Sequence, residues 1–544
     1  MRLWPHRWWI GVALIAAIVL VTGAAIIVYR WQKPRVRQQI VAILSQQLGA
    51  NVELGEIDVH LGPVVRVSGR GLVLHHKVYR DGPPLVRIES FVIDAPVLAI
   101  LRKPIHISSV EMQGLRIFIP PRQKRADSDN PQQQPAVPTE SAPADAPAPQ
   151  PAATKTDGGS LASKLRGPSP VVIDRLTSSN AELAIASRKP DRPPRIFLIH
   201  DLTLTDAAFD RPTKYDARLT NPKPVGTVLA KGTFGPWDPD EPTQTPLTGD
   251  YEFRDADLGT IKGIGGMLES TGSFTGVLER IVAQGATKTP DFSLDIGGKP
   301  MPLDTVYTAI IDGTNGDTFL KPVRAILGRT HLTADGGIVH TPGRKGRTVE
   351  LDVVIEHGRL EDVLRLAIDS TPPDMSGALK MKTRLELPPG DQPVPRRLYL
   401  KGEFHVASAR FASNKVQDKI DELSRRGRGR PEDAAVGNVA SDLQGRFELK
   451  DGVLTLSPVS FSVRGALIQM RGRYSLVHST LDFTGTARLN ARVSEMVTGW
   501  KRFPLKILDP IFAKDGAGAV FPIRVSGPVK KPEFKVEIKK IFKG

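Results

Sequence analysis

LKGEFHVASARF (400–411), LQGRFELKDGVL (443–454), MRGRYSLVHSTL (470–481) and LTGDYEFRDADL (247–258) repeat one pattern. A large apolar residue is followed two places on by glycine, then by an aromatic residue, then by another apolar residue and a turn. In an extended chain, alternate side chains share a face. Leu400, Gly402, Phe404 and Val406 therefore point one way, and Lys401, Glu403 and His405 the other. The same holds for Leu443, Gly445, Phe447 and Leu449, for Met470, Gly472, Tyr474 and Leu476, and for Leu247, Gly249, Tyr251 and Phe253. The repeat predicts a mainly β protein built on a long antiparallel sheet, apolar on one face and polar on the other. Such a face has to be covered. A closed sandwich does this, and so does a long sheet curled into an open groove, with glycine where the bend crowds the backbone. The repeat glycines stand 43 residues apart at 402 and 445 but 27 apart at 445 and 472, which excludes a strict solenoid.

Outward from the repeats, short alternating runs between Asn51 and Pro120 (VELGEIDVHL, VVRVSGRGLVL, LVRIESFVID, VEMQGLRIFIP) read as further strands. Residues 121–167 are rich in Pro, Ala, Gln and Ser and cannot bury enough apolar surface to offset the entropy of ordering, so a flexible linker is expected there. Strand patterning resumes at about residue 168. Helical spacing interrupts it at Arg359–Ile368, Val416–Leu423 and Ser494–Phe512, the last broken at Pro504. Trp8–Tyr29 is a run of about 22 uncharged residues with aromatic residues at both ends, long enough for a single transmembrane helix and too long for the apolar core of a signal peptide. PRVRQQIVAILSQQLGA then places Val36, Ile40, Ile43 and Leu44 on one face of a stalk helix. The expected organisation is an anchor (1–33), a stalk and N-terminal β module (34–120), the linker (121–167), a central β region (168–390) and a C-terminal β module (391–544).

Lysine and arginine outnumber aspartate and glutamate by 74 to 58, a diffuse excess that suits anionic lipid surfaces better than nucleic acid, for which no recognition motif is present. The two dense basic clusters lie at Arg30–Arg37, beside the apolar run, and at Arg425–Arg430. The chain has no cysteine, which excludes disulfides, thiolate metal sites and cysteine nucleophiles. His75 and His76 alternate across a strand, and no HExxH spacing occurs. DGTNGD at 312–317 places oxygen ligands at positions 1, 4 and 6, where an EF-hand loop needs 1, 3 and 5, so a glycine-rich turn is expected. There is no phosphate-binding loop and no nucleophile elbow. The residues thus indicate no catalytic, metal or cofactor site, and the protein is expected not to be an enzyme.

Several stretches together resemble the AsmA family of envelope proteins: SQQLGANVELGEIDVHLGPVVRVSGRGLVL after the stalk, RIESFVIDAPVLAIL, ISSVEMQGLRIFIP, GDYEFRDADLGTIKGIGGMLESTGSF, IIDGTNGDTFLKPV, KVQDKIDELSRRGRGRPED and KILDPIFAKDGAGAVFPIRVSGPVKKPEF. The resemblance implies a single-pass inner-membrane protein with its bulk in the periplasm, whereas the flank charges of the apolar run (Arg2 and Arg7 against Arg30, Lys33, Arg35 and Arg37) favour a cytoplasmic body. It also implies the groove rather than the sandwich, a shape shared with bridge-like lipid transfer proteins. The lining would then be Leu247, Tyr251, Phe253, Leu400, Phe404, Val406, Leu443, Phe447, Leu449, Met470, Tyr474 and Leu476. Expected partners are membrane lipids, phospholipids above all, with outer-membrane assembly or inner-membrane proteins beside them. The expected role is conveying or shielding lipids between inner and outer membranes; an anchored scaffold or regulator of outer-membrane protein assembly is the alternative.

Overall fold

The computed structural model describes residues 51–536 apart from 61, 76–81, 85, 101–103, 120–170, 186–193, 209, 237–245, 278, 314, 342–345, 435–438, 440, 498–505, 507–508, 514–517 and 529–531. The anchor expected in 1–33, the stalk helix at 34–49 and the linker at 121–167 lie outside the described residues. Among the described residues no helix is long and apolar enough to cross a membrane. The protein is mainly β, in two units: Met1–Tyr215 with Gly235–Pro242, and Asp216–Phe234 with Thr243–Gly544.

The first unit contains β1 (Asn51–Leu54), β2 (Ile57–His60), β3 (Val64–His75), β4 (Val86–Pro96), β5 (Ile105–Gln113), β6 (Arg116–Ile119), β7 (Val171–Ile185) and β8 (Arg195–Ala207). β3 pairs antiparallel with β1, β2 and β4. The expectation of a purely antiparallel sheet is corrected at β7, which runs parallel to β5 and then to β6. Parallel neighbours need a crossover of at least about a dozen residues, and the chain between Ile119 and Val171 is ample. Buried residues alternate along β3 and β4 but change phase together, between Gly69 and Leu72 on one and Ile88 and Phe91 on the other, where Gly71 takes a φ of 70°. Gly69 lies opposite Phe91 and leaves room for its ring. The core is closed. Val67, Ile88, Ile93, Ile107 and Ile173 are all 0% exposed.

The second unit is a ladder of antiparallel strands. β9 (Thr213–Pro222) begins just before its boundary, and β10 (Val225–Phe234), β11 (Pro246–Asp257), β12 (Ile264–Gly265), β13 (Met267–Val277), β14 (Arg280–Leu294), β15 (Met301–Ile311), β16 (Thr318–Leu327), β17 (Thr330–His340) and β18 (Arg347–Arg359) follow. β19 (Met375–Leu387), β20 (Tyr399–Phe411), β21 (Ser441–Lys450), β22 (Val453–Val463), β23 (Ala466–Ser475), β24 (Thr480–Leu489), β25 (Ala519–Pro528) and β26 (Glu533–Val536) complete it. From β10 each strand pairs with the next, except that the two-residue β12 pairs only with the end of β14 while β11 pairs with β13. The pairing of β19 with β20 runs straight across residues 390–391.

The helix at Leu360–Ala367, close to the span its periodicity predicts, packs Leu360 and Val363 against Leu379 and Val406. Glu361 and Asp362 occupy its first turn, where a helix dipole favours negative charge. The helix expected at Val416–Leu423 runs longer, Asn414–Gly427, and buries Ile420 among Val463, Ala466 and Leu489. Of the segment 494–512, the described parts are a short 3₁₀ turn, Val493–Met496, and a helical turn, Asp509–Phe512. One contact joins opposite edges of the ladder. Lys262, in the loop between β11 and β13, donates from Nζ to the Asp391 carbonyl at 2.8 Å, in the loop between β19 and β20. Beside it, the Val394 side chain lies against Gly263.

Candidate functional site

The strand register assembles the repeat residues into rows that run across the sheet. One row is Leu385, Leu400, Leu449, Leu454, Tyr474 and Leu481. The next is Thr383, Gly402, Phe447, Leu456, Gly472, Phe483 and Val525, and the third is Met381, Phe404, Gly445, Val459, Met470, Gly485 and Ile523. Leu379, Val406, Leu443, Phe461, Ile468, Ala487 and Phe521 form the fourth. Directly paired residues in an antiparallel sheet share a face. Four rows, apolar or glycine except at Thr383, therefore cover one face from β19 to β25.

Glycines and rings interlock within these rows. Phe447 pairs with Gly402, Phe404 with Gly445, and Phe483 with Gly472. Each ring has a neighbour without a side chain, and the Phe404 and Phe447 centroids lie 6.3 Å apart. A Cβ on Gly402 would collide with the Lys382 carbonyl, and one on Gly472 with the Asp482 carbonyl and the Phe483 ring. Adjacent strands thus approach closely where the repeat places glycine.

Eleven of the twelve expected lining residues stand on this face: Leu247, Tyr251 and Phe253 on β11; Leu400, Phe404 and Val406 on β20; Leu443, Phe447 and Leu449 on β21; Met470 and Tyr474 on β23. Leu476 does not. β23 ends at Ser475, Leu476 opens the turn to β24 while its N–H still donates across to the Gly452 carbonyl, and the side chain is 39% exposed. The turn takes over one residue before the alternation would have carried Leu476 onto the face.

Sequence reading missed the residues of β19, β22, β24 and β25, whose runs LKMKTRLEL, VLTLSPVSFSV, LDFTGTARL and AVFPIRVSG alternate equally well but lack the full glycine–aromatic spacing. The face is covered most fully along one edge. There Val406, Ala409 and Leu379 are buried beneath the helix Leu360–Ala367, and Ala466, Leu489 and Ala519 near the helix Asn414–Gly427. Away from that edge Leu449, Val459 and Phe483 are buried, while Met381, Leu385, Phe404, Phe447, Leu454, Met470, Tyr474 and Ile523 remain half-buried.

The opposite face is charged. Arg384 meets Glu350 at 3.4 Å and Arg524 meets Asp482 at 3.0 Å across neighbouring strands. A depression of about 590 Å³ on this side is bordered by Lys382, Arg384, Lys401 and Arg446 together with Asp352, Glu403 and Glu448, so neither sign of charge dominates it. Val306, Phe319 and Ile326 stand out on the same side, 51%, 50% and 40% exposed.

The remaining polar motifs make their contacts within the fold, although the buried Arg425 Nε has no hydrogen-bond partner among the described residues. In DGTNGD, Asn315 donates to Asp312, the Asp317 N–H donates to Asn315, and the Arg347 guanidinium donates to the Asn315 and Gly316 carbonyls, so a cation fills the role that a metal would play in an EF-hand. Arg425 donates to the Pro431 and Asp433 carbonyls, tying down the basic stretch after its helix. His75 lies 3.2 Å from Glu53 across β1 and β3; His76 is outside the described residues. Among the described residues no three His, Asp or Glu side chains lie close enough to hold a metal ion. Burial and the hydrogen bond shared with Tyr251 push the Tyr307 hydroxyl above the ordinary phenol range. No family model, no curated protein and no solved structure matches the chain.

Proposed function

We propose that the protein is a membrane-anchored, non-enzymatic carrier that shields the acyl chains of lipids along the apolar face of its second unit. The observation that carries this reading is the set of registered apolar rows across seven strands, β19 to β25, many of whose residues are left half-buried. A contiguous apolar surface of this kind is a binding surface, because soluble proteins rarely leave one uncovered. Each methylene kept from water on it is worth about 0.8 kcal/mol. The contact of Lys262 with Asp391 supports a curled sheet, since it joins the two edges that a groove would bring together.

The resemblance to the AsmA family supports an anchor in the inner membrane at residues 8–29, a periplasmic body, and lipids, phospholipids above all, moving between inner and outer membranes. From β10 to β26, omitting β12, the ladder holds 16 strands, which at about 4.8 Å each extends over roughly 70 Å. A second reading, an anchored scaffold for outer-membrane protein assembly, draws on Val306, Phe319 and Ile326, whose exposure on the charged face suits a protein partner.

Photo-crosslinking in cells tests the carrier reading. Photoreactive residues at Phe404, Phe447 and Tyr474 are expected to capture lipid, and those at Glu403, Arg446 and Arg473 are not. Equal capture at both sets, or capture at neither, contradicts it.

A further inference from the structure

The apolar face changes character toward the start of the second unit. Tyr251, Gly272, Gly285 and Tyr307 form one row across β11, β13, β14 and β15. The two tyrosines lean toward each other over the paired glycines: a Cβ on Gly272 would meet the Tyr251 ring at 2.9 Å, and one on Gly285 the Tyr251 hydroxyl at 2.9 Å. Their hydroxyls hydrogen-bond to each other. Ser270, one row along, lies 3.0 Å from the Tyr251 hydroxyl and donates to the Ala286 carbonyl at 3.0 Å. In that same next row Thr287 and Thr305 share a hydrogen bond of 2.7 Å. Five hydroxyls are thus gathered on four strands of a mainly apolar face, with Phe274 packed beside Tyr251.

Polar groups on an apolar surface are costly unless bonded, and this chain of hydroxyls has two proton arrangements, of which only the first satisfies every proton from within. In one, protons point inward, from Tyr307 to Tyr251 to Ser270 to the Ala286 carbonyl. In the other they point outward, from Ser270 to Tyr251 to Tyr307, and the Tyr307 proton is left for an acceptor lying on the face. Hydroxyl protons rotate to suit their partners, so an arriving acceptor selects the second arrangement. The acceptor that fits has no proton of its own and sits where an apolar chain begins.

We propose that Tyr251, Ser270 and Tyr307 form a hydrogen-bonding station that holds the ester carbonyl of a long-chain amphiphile while its acyl chains lie on the neighbouring apolar rows. This rests on the carrier reading above and adds a chemical class to it: ester-linked rather than ether-linked or free hydrocarbon chains. The station binds carbonyl, and the rows to either side bind chain.

The test uses the full-length protein and a bound fluorescent diacyl phospholipid, displaced by either a diacyl ester phospholipid or its dialkyl ether analogue with the same chains and head group. The wild type is expected to prefer the ester competitor by roughly fivefold to tenfold, the value of about one hydrogen bond. Tyr251→Phe combined with Tyr307→Phe keeps both rings; it is expected to abolish the preference, so that ester and ether displace the probe equally well, while an unchanged urea midpoint and circular-dichroism spectrum report an intact fold. Equal displacement by ester and ether from the wild type, or a preference that survives in the double variant, overturns the station while the carrier reading stands. A wild type that binds the fluorescent lipid not at all overturns both.

Discussion

Both units are built from alternating strands, yet they treat their apolar residues differently. In the first unit Ile88, Ile93, Ile107 and Ile173 lose all contact with solvent, whereas in the second Phe404, Phe447, Leu454 and Met470 keep part of theirs. Period-two alternation establishes that a face is apolar; it does not say what covers the face. The difference arises in how the sheets bend. β3 and β4 exchange their buried faces midway and share one packed core, while β19 to β25 keep a single apolar face with helices along one edge.

Substitution should separate the two regions most sharply at their centres. Ile93→Ala in the first unit leaves a cavity that closed packing cannot refill and should cost about 2–5 kcal/mol in urea unfolding. Phe447→Ala, on a face already part-exposed, should cost about 1 kcal/mol despite the larger side chain, since only part of its transfer free energy is realised. Equal costs at the two sites would mean that the second unit is packed as tightly as the first.

The glycine rows sharpen the comparison further. Gly402→Val puts a branched side chain where the Lys382 carbonyl lies, and overpacking of this kind typically costs about 1–3 kcal/mol. Lipid capture at Phe404 and Phe447 should fall with it. Unchanged stability in this variant would show that the strands do not need the close approach.

The alternation of LKGEFHVASARF and its copies was enough to place eleven lining residues on one face, because period two leaves no freedom once a strand is formed. Leu476 escaped it because the strand ended one residue early, at the turn that leads into β24. The parallel pairing of β5 and β6 with β7 was not legible either: neighbouring strands look alike whichever way they run, and the long connection from Ile119 to Val171 permits both. The Tyr251–Ser270–Tyr307 cluster was hidden for a similar reason. Tyr251 carried the repeat signal, but its partner stands 56 residues on and shares no local pattern with it.

The smallest expected effect concerns the outer surface of the closed unit. Arg66 donates to both Asp94 oxygens, at 2.7 and 2.9 Å, and this hydrogen bonding holds the Asp94 carboxyl below its usual range. With its pKa lower in the folded state than in the unfolded one, the carboxylate stabilises the fold above the unfolded value of about 4 and loses that contribution as pH falls through the depressed folded value. Asp94→Asn should lower the urea midpoint slightly at neutral pH and flatten its decline between about pH 5 and pH 3. A wild-type decline of the same slope in the variant would remove Asp94 from the acid response.

The absence of cysteine allows one reporter to be placed at a time, and this gives the most direct test of an open apolar face. An environment-sensitive fluorophore on Phe447→Cys in the full-length protein should emit from a wet site without lipid and shift strongly to the blue when diacyl phospholipid is added, while the same fluorophore on Arg446→Cys stays unchanged. A fluorophore at 447 that is already blue-shifted without lipid and indifferent to its addition would mean that the face is sealed, and would contradict the account.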